Sequence, residues 1–394
     1  MKEFDIVIIG RGVIGTLAAL AATRAKLKVL LVGQKQNLNA TGRSSRSYAL
    51  SPSSIDLIEK LVRTNTDHLE HQNISSMYIE TEKGNFTLSA KDAKKKYLAR
   101  MVNHTSLMNF ISGFEKGGSV ELIENKPESI SYKNTEDGER VLLEFKNEKN
   151  PLKVSSKLVI GADGVSSWVR QKAGIFWGIK SYSQKAIVAE ILPQKKHHGT
   201  ASQWFHKGGI LALLPCCDGN LSLVWSVSSN FADKIVNEPK DVLQDYLNEL
   251  SQGTYGTLAL NSKPLSIPLS MTYADSYYGR RIALLGDSAH TVHPLAGLGL
   301  NLGVYDLISL IDNGEWFKAS EENFFDPGEK LKLKNFHLNR VKKVPPVQFS
   351  LDLLVMIFGL TGTFANSVRG FGMNYIDNFP LIKRNIIRQA HTVF

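Results

Sequence analysis

The feature that most restricts the fold is a glycine turn near the start of the chain. Phe4-Asp5-Ile6-Val7-Ile8-Ile9 is a short apolar run rich in β-branched residues, and Gly10-Arg11-Gly12-Val13-Ile14-Gly15 follows at once. Thr16 to Lys26 is then rich in Ala and Leu with no breaker, and Val29 to Val32 is apolar again. Strand, glycine turn, helix and strand make a βαβ unit. Gly10 permits the tight turn, Gly12 lets a pyrophosphate approach the backbone, and Gly15 lets helix and strand pack closely. Val13 and Ile14 open the helix, whose free N–H groups and positive potential suit a phosphate. The spacing predicts a dinucleotide site.

An acidic residue some 20 positions beyond such a turn usually holds the adenosine ribose. Here Gly33, Gln34 and Lys35 stand in that place, so Gln34 is the candidate for the ribose contact. A neutral or basic residue also suits the 2′-phosphate of NADP, which leaves the nucleotide of this first site open.

Lys157-Leu158-Val159-Ile160 and Arg281-Ile282-Ala283-Leu284-Leu285 read as further buried strands, each running into glycine. Ser51-Pro52 reads as a helix N-cap followed by proline at the first helical position. Runs such as Leu221-Ser222-Leu223-Val224-Trp225, separated by turn residues, predict mainly antiparallel sheet over 181–275. With 394 residues, 43% of them hydrophobic, the chain is long enough for two joined domains. The expected architecture is α/β: a Rossmann-like nucleotide-binding domain over 1–75, 96–180 and 276–345, an inserted β-sheet substrate domain over 76–95 and 181–275, and a helical region over 346–394.

The formal charge of +10 lies in scattered clusters such as Lys94-Lys95-Lys96 and Lys342-Lys343, with no aromatic-basic platform, so no nucleic-acid partner is expected. Attraction to an anionic membrane or to a phosphate-bearing cofactor is compatible with it. Cys216 and Cys217 are adjacent and fit neither a disulfide framework nor a zinc site, which suits a reducing, cytoplasmic setting. Met1 to Gly15 lacks the pattern of a secretion signal. His290-x-x-His293 has no third ligand at helical spacing, so no metal is expected.

A second cofactor edge is Gly286-Asp287-Ser288-Ala289-His290, followed by His293-Pro294-Leu295-Ala296-Gly297-Leu298-Gly299-Leu300-Asn301-Leu302-Gly303. This segment resembles the Gly-Asp-Ala-Ala-His, proline, Gly-Gln-Gly and Asn-x-Gly-x-x-Asp pattern of class A FAD-dependent aromatic monooxygenases, and especially the ubiquinone-biosynthesis hydroxylases. Gly161-Ala162-Asp163-Gly164-Val165-Ser166-Ser167-Trp168-Val169-Arg170, and Arg46 ahead of Tyr48-Ala49-Leu50-Ser51, are similar to two further motifs of that family.

The resemblance implies FAD as cofactor and NAD(P)H as electron donor. It implies that Asp287 binds the FAD ribityl chain, with Gly286, Gly297 and Leu298 admitting the cofactor. Arg46 would meet its phosphates, and Asp163 would contact both FAD and the nicotinamide donor. Pro294 would lie beside the isoalloxazine ring, and Gly299, Leu300 and Asn301 would present N–H groups to its pyrimidine end. The implied reaction is hydroxylation of the ring of a prenylated phenol or quinol in ubiquinone biosynthesis, with O2. Two alternatives stay open: a hydroxylase of small soluble aromatics, and a non-catalytic flavin-holding accessory subunit of a quinone-synthesis complex. The second is suggested by departures from the family pattern at Gly33, Leu298 and Asn103-His104.

Leu351 to Leu360 is apolar nearly all round but too short to span a bilayer, so it is core, tunnel wall or shallow membrane contact, with packing in the core its expected role. Ile382, Ile386 and Ala390 share a helical stripe with Lys383, Arg384 and Arg388 elsewhere, compatible equally with peripheral attachment at the inner face of a membrane and with packing against the nucleotide-binding domain. The oligomeric state is left open.

Overall fold

The computed structural model describes residues 1–35, 46–81, 84–92, 94–113, 120–146, 151–294, 297–319 and 325–359. The stripe at Ile382, Ile386 and Ala390 lies outside the described residues, as does the rest of 360–394. The protein is α/β, and its described residues form three sheets.

In the first sheet the opening strand Lys2–Ile9 pairs in parallel with Val29–Val32 on one side and Leu152–Gly161 on the other. Ile282–Leu284 and Val120–Ile123 extend it, again in parallel. These five strands therefore end at one edge of the sheet, where Gly10, Gly33, Asp163 and Gly286 lie. Ile6 to Ile8, Val29 to Val32 and Ile282 to Leu284 are completely buried within the main core, as parallel strands covered on both faces are. Each such side chain contributes about 1.5–3 kcal/mol of burial, which is why the strands read as unbroken apolar runs.

Helix Val13–Arg24 follows the glycine turn, and helix Pro52–Val62 begins as Ser51-Pro52 predicts: the Ser51 side chain accepts a hydrogen bond from Ser54 N–H, and Pro52 occupies the first turn.

The second sheet is centred on Trp177–Pro193, which pairs antiparallel with Leu265–Ala274 and Leu221–Ser228. Gly209–Pro215 and Thr200–His206 continue it, and Ser76–Thr81 with Gly84–Ser89 closes that edge. At the opposite edge His290–Thr291 pairs with Leu265–Ala274, so the turn after Gly286 is stitched to this sheet. Helices Ser229–Ile235 and Lys240–Leu250 seal one face with Leu243 and Leu247. The prediction of mainly sheet over 181–275 omits these two helices, although Leu243 and Leu247 carry the four-residue spacing of a buried helical stripe. A small third sheet joins Ser47–Leu50 and His71–Ile74 to Ala99–Asn103.

Helix Lys330–Gly359 closes the described chain, with Pro345 and Pro346 inside it. Leu351 is buried, as a core segment requires, but Leu353 and Met356 are exposed.

Candidate cofactor and active site

Packing fixes two glycines of the first turn and keeps the third clear. Gly10 has a φ of +116°, and a Cβ there would meet Ala162 O at 2.1 Å. A Cβ on Gly15 would meet Gly10 O at 1.8 Å, whereas one on Gly12 would meet nothing within 4 Å. Helix Val13–Arg24 has no side-chain cap and no acid in its first turn. Helix Leu298–Gly314 shares both properties, starting from Gly297 at φ +60°, and Gly299 in its first turn also faces open space. Two long helices thus point uncapped N–H groups past open glycines, which fits a pyrophosphate at the first and a ring that gains negative charge at the second.

The two turns touch. The Ile14 side chain lies 3.5 Å from where a Cβ on Gly286 would sit, in ordinary contact, and 3.0 Å from one on Gly303, where it would have to give way; Gly286 is restricted instead by its φ of +59°. Both motifs, 271 residues apart from Gly15 to Gly286, are brought to one edge.

Asp287 stands in that cleft, open to solvent yet crowded by protein atoms. The crowding pushes its carboxyl above the ordinary carboxylate value, against the pull of Arg46 and His290. Arg46 lies over the Tyr48 ring at 5.4 Å, and Tyr48 Oη is 3.1 Å from His104 Nδ1. Gln34 is exposed just beyond the second strand.

Asn301 is buried and its side chain is spent on structure. Its Oδ1 accepts from Ser51 N–H and Ser54 Oγ, each at 2.8 Å, and its Nδ2 donates to Ala49 O at 2.7 Å and Gly297 O at 3.2 Å. The strand Ser47–Leu50 is thereby fastened to the helix start that carries Gly299 and Leu300. Pro294, Gly297, Leu298, Gly299 and Leu300 are half-buried along this turn.

Asp163 also turns inward: it accepts from Ser167 Oγ at 2.5 Å, Trp168 N–H at 2.7 Å and Val169 N–H at 3.2 Å, holding the start of helix Trp168–Lys172. Nothing in its dipeptide signals this use. Arg170, at the end of the same motif, donates to Val165 O and Ser288 O at 2.7 Å each and lies over Trp177 at 4.1 Å. It clamps the Asp163 loop to the Asp287 loop.

Behind the cleft, Asp306 is fully buried and accepts from Gly286 N–H at 2.8 Å, His290 Nε2 at 2.7 Å and Arg340 Nε at 2.7 Å. Burial works to raise its pKa, but the electrostatic pull of His290 and Arg340 and these hydrogen bonds outweigh it and hold the group below the usual carboxylate range. His290 is therefore an Asp306 partner.

His293 is 1% exposed, and its ring nitrogens have no hydrogen-bond partner among the described residues. Burial pulls its pKa down to about 4, so the ring is neutral at physiological pH. The Tyr182 ring packs edge-on against it at 5.1 Å, and Tyr182 donates to Asp352 Oδ1 at 2.7 Å.

A cavity of about 130 Å³ opens between the third sheet and the large one, lined by Ser47, Asn103 and Cys216 and by the carboxylates of Glu70, Glu190 and Asp218. Burial pushes the Cys216 and Cys217 thiols up to about 12 and about 11, which makes them inert at neutral pH.

A family model described as an FAD binding domain matches residues 3–313. Ubiquinone hydroxylase UbiL of Rhodospirillum rubrum is 30% identical over 237 residues, covering 60% of this chain and 54% of that protein, so the match spans about half of that relative. Ubiquinone biosynthesis monooxygenase COQ6, mitochondrial, of Saccharomyces cerevisiae is 27% identical over 452 residues, covering 98% of this chain and 93% of that protein. The crystal structure of p-nitrophenol 4-monooxygenase PnpA from Pseudomonas putida DLL-E4 superposes with a TM-score of 0.79 at 16% identity, covering 100% of this chain and 99% of that one. At that identity the likeness is one of fold.

Proposed function

Because this chain belongs to the FAD binding domain family, we propose that it hydroxylates the aromatic ring of a prenylated phenol or quinol in ubiquinone biosynthesis, using FAD, O2 and NAD(P)H. The observation that carries this reading is the contact of the two glycine turns through Ile14, which gives one cleft two uncapped helix starts. Support for the substrate class comes from the relatives named for ubiquinone synthesis.

FAD, when bound and reduced, supplies the oxygen activation. The chain's part is to bind, orient and stabilise charge. In our assignment the N–H groups at Gly12, Val13 and Ile14 hold the pyrophosphate beside Arg46, Gln34 meets the ribose, and Asp287 accepts from the ribityl hydroxyls. Gly10 and Gly15 shape the turn, and Gly286, Gly297 and Leu298 leave room for the cofactor chain. Pro294 flanks the ring, while the N–H groups of Gly299, Leu300 and Asn301 and the dipole of their helix stabilise negative charge at its pyrimidine end. Asp163 acts through the loop it fastens. We assign 1–75, 96–180 and 276–345 to the FAD domain and the sheet of 76–95 and 181–275 to the substrate wall. The substrate's lipid chain makes peripheral contact with a membrane part of the proposal.

The test is NAD(P)H oxidation by the flavin-loaded protein with a prenylated phenol, followed by mass spectrometry for a product heavier by one oxygen atom. Acceleration by free phenols alone would replace this substrate class with soluble aromatics. A protein that holds FAD and oxidises NAD(P)H with no phenol would be an accessory subunit.

A further inference from the structure

Helix Lys330–Gly359 is apolar on two opposite sides. Its inner side buries Leu333, Phe336, Val344, Val347 and Leu351 in the main core. Its outer side exposes Leu331, Leu338, Phe349 and Met356 by 60%, 44%, 68% and 56%. At 3.6 residues per turn, those four fall within roughly 20° of one another around the axis, about half a turn from the buried set. Scattered exposed leucines need no explanation, but an aligned row opposite a completed core interface is a second face without a protein partner among the described residues.

The same face carries cations. Lys334 and Lys342 are exposed within it, with Lys343 beside them. Over 330–359 the exposed basic residues are Lys330, Lys334, Lys342 and Lys343, Arg340 being buried against Asp306 and Lys332 paired with Glu329, and the one acid is Asp352. Asp352 is already engaged by Lys180 and Tyr182.

We propose that this outer stripe docks on an anionic lipid surface, with the helix lying along the interface. An apolar row interleaved with lysines matches the depth profile of such a surface, acyl chains below and anionic headgroups beside. A second copy of the chain fits less well, because a twofold contact would face lysines with lysines and bring no acid to pair them. Among the described residues no helix is long and apolar enough to cross a membrane, so contact is along the surface. The stripe ends beside the reaction turn: Asp352 holds Tyr182, and the Tyr182 ring packs on His293 next to Pro294. Delivery of a prenylated substrate along this path rests on the function proposed above; the docking face itself does not.

The experiment is flotation of the full-length, FAD-loaded protein with phosphatidylcholine vesicles that do or do not contain about one third phosphatidylglycerol. The expected result is flotation with the anionic vesicles alone, reduced at least tenfold by Phe349→Glu with Met356→Glu and about fivefold by Lys342→Glu. Flavin absorbance and turnover of a short-chain phenol serve as controls for folding, since none of these residues is in the cofactor cleft. Absence of flotation, or flotation indifferent to the double substitution, overturns the proposal. So does a dimer in sedimentation that the double substitution dissociates, which would make the occupant a second copy. Flotation without turnover of any phenol would instead remove the function proposed above and leave the docking face standing.

Discussion

Ser51 and Asn301, 250 residues apart, are joined by a hydrogen bond of 2.8 Å from the Ser51 N–H to the Asn301 Oδ1. Asn301 also holds Ala49 O and Ser54 Oγ, so a single side chain sets the distance between the Arg46 strand and the helix start. Asn301→Ala leaves a buried N–H and a buried C=O without partners, at about 1–3 kcal/mol each. We expect a loss of about 2–4 kcal/mol in urea unfolding together with weaker FAD binding by fluorescence quenching. Unchanged stability would remove the staple from this account.

Asp287 stands in the open cleft, so its loss should spare the fold. Asp287→Ala is expected to leave the unfolding midpoint of the cofactor-free protein within about 0.5 kcal/mol while weakening FAD about ten- to a hundredfold. Full retention of flavin through gel filtration would contradict the assignment.

The glycines of the first turn separate fold from binding. Gly10→Ala forces a Cβ to 2.1 Å from Ala162 O at a φ that disfavours any side chain, and should yield little folded protein. Gly12→Val meets nothing in the protein and should fold with near-native circular dichroism, yet carry no flavin. A flavin-loaded Gly12→Val protein would show that the pyrophosphate lies elsewhere.

His293 predicts a pH dependence. Its folded pKa of about 4 lies below the 6.5 of a free histidine, so between these values the unfolded chain binds a proton that the folded chain refuses. Stability therefore falls as pH drops from 7 to 4, by up to about 3 kcal/mol from this group. His293→Gln should remove that share: the difference between variant and wild type, followed by chemical denaturation, shifts in favour of the variant on acidification. Parallel curves would mean that His293 is protonated in the folded state.

Much of the FAD domain was legible because its signals are local. Gly10, Gly12 and Gly15 fall within six contiguous residues at the junction of a strand and a helix, and Ser51-Pro52 announces its own helix. The family membership was legible too, since Gly286-Asp287 and the residues to Gly303 form one continuous motif. What could not be read were partnerships across the chain. The sequence marks Asn301 for its backbone N–H but not for its side-chain bonds to Ser51 and Ala49, and marks Asp163 as a contact residue but not as the acceptor for Ser167 and Trp168. The outer face of helix Lys330–Gly359 was hidden for the same reason: its meaning lies in which side of the helix is already covered.

Asp306 has a consequence for how the protein meets its cofactor. A carboxylate with no exposed surface, held by His290 and Arg340 and gripping Gly286 N–H, anchors that strand end from behind before any ligand arrives. The cleft is then a ready-made socket: flavin should enter the empty protein in one kinetic phase whose rate rises linearly with concentration, with no slow rearrangement to wait for.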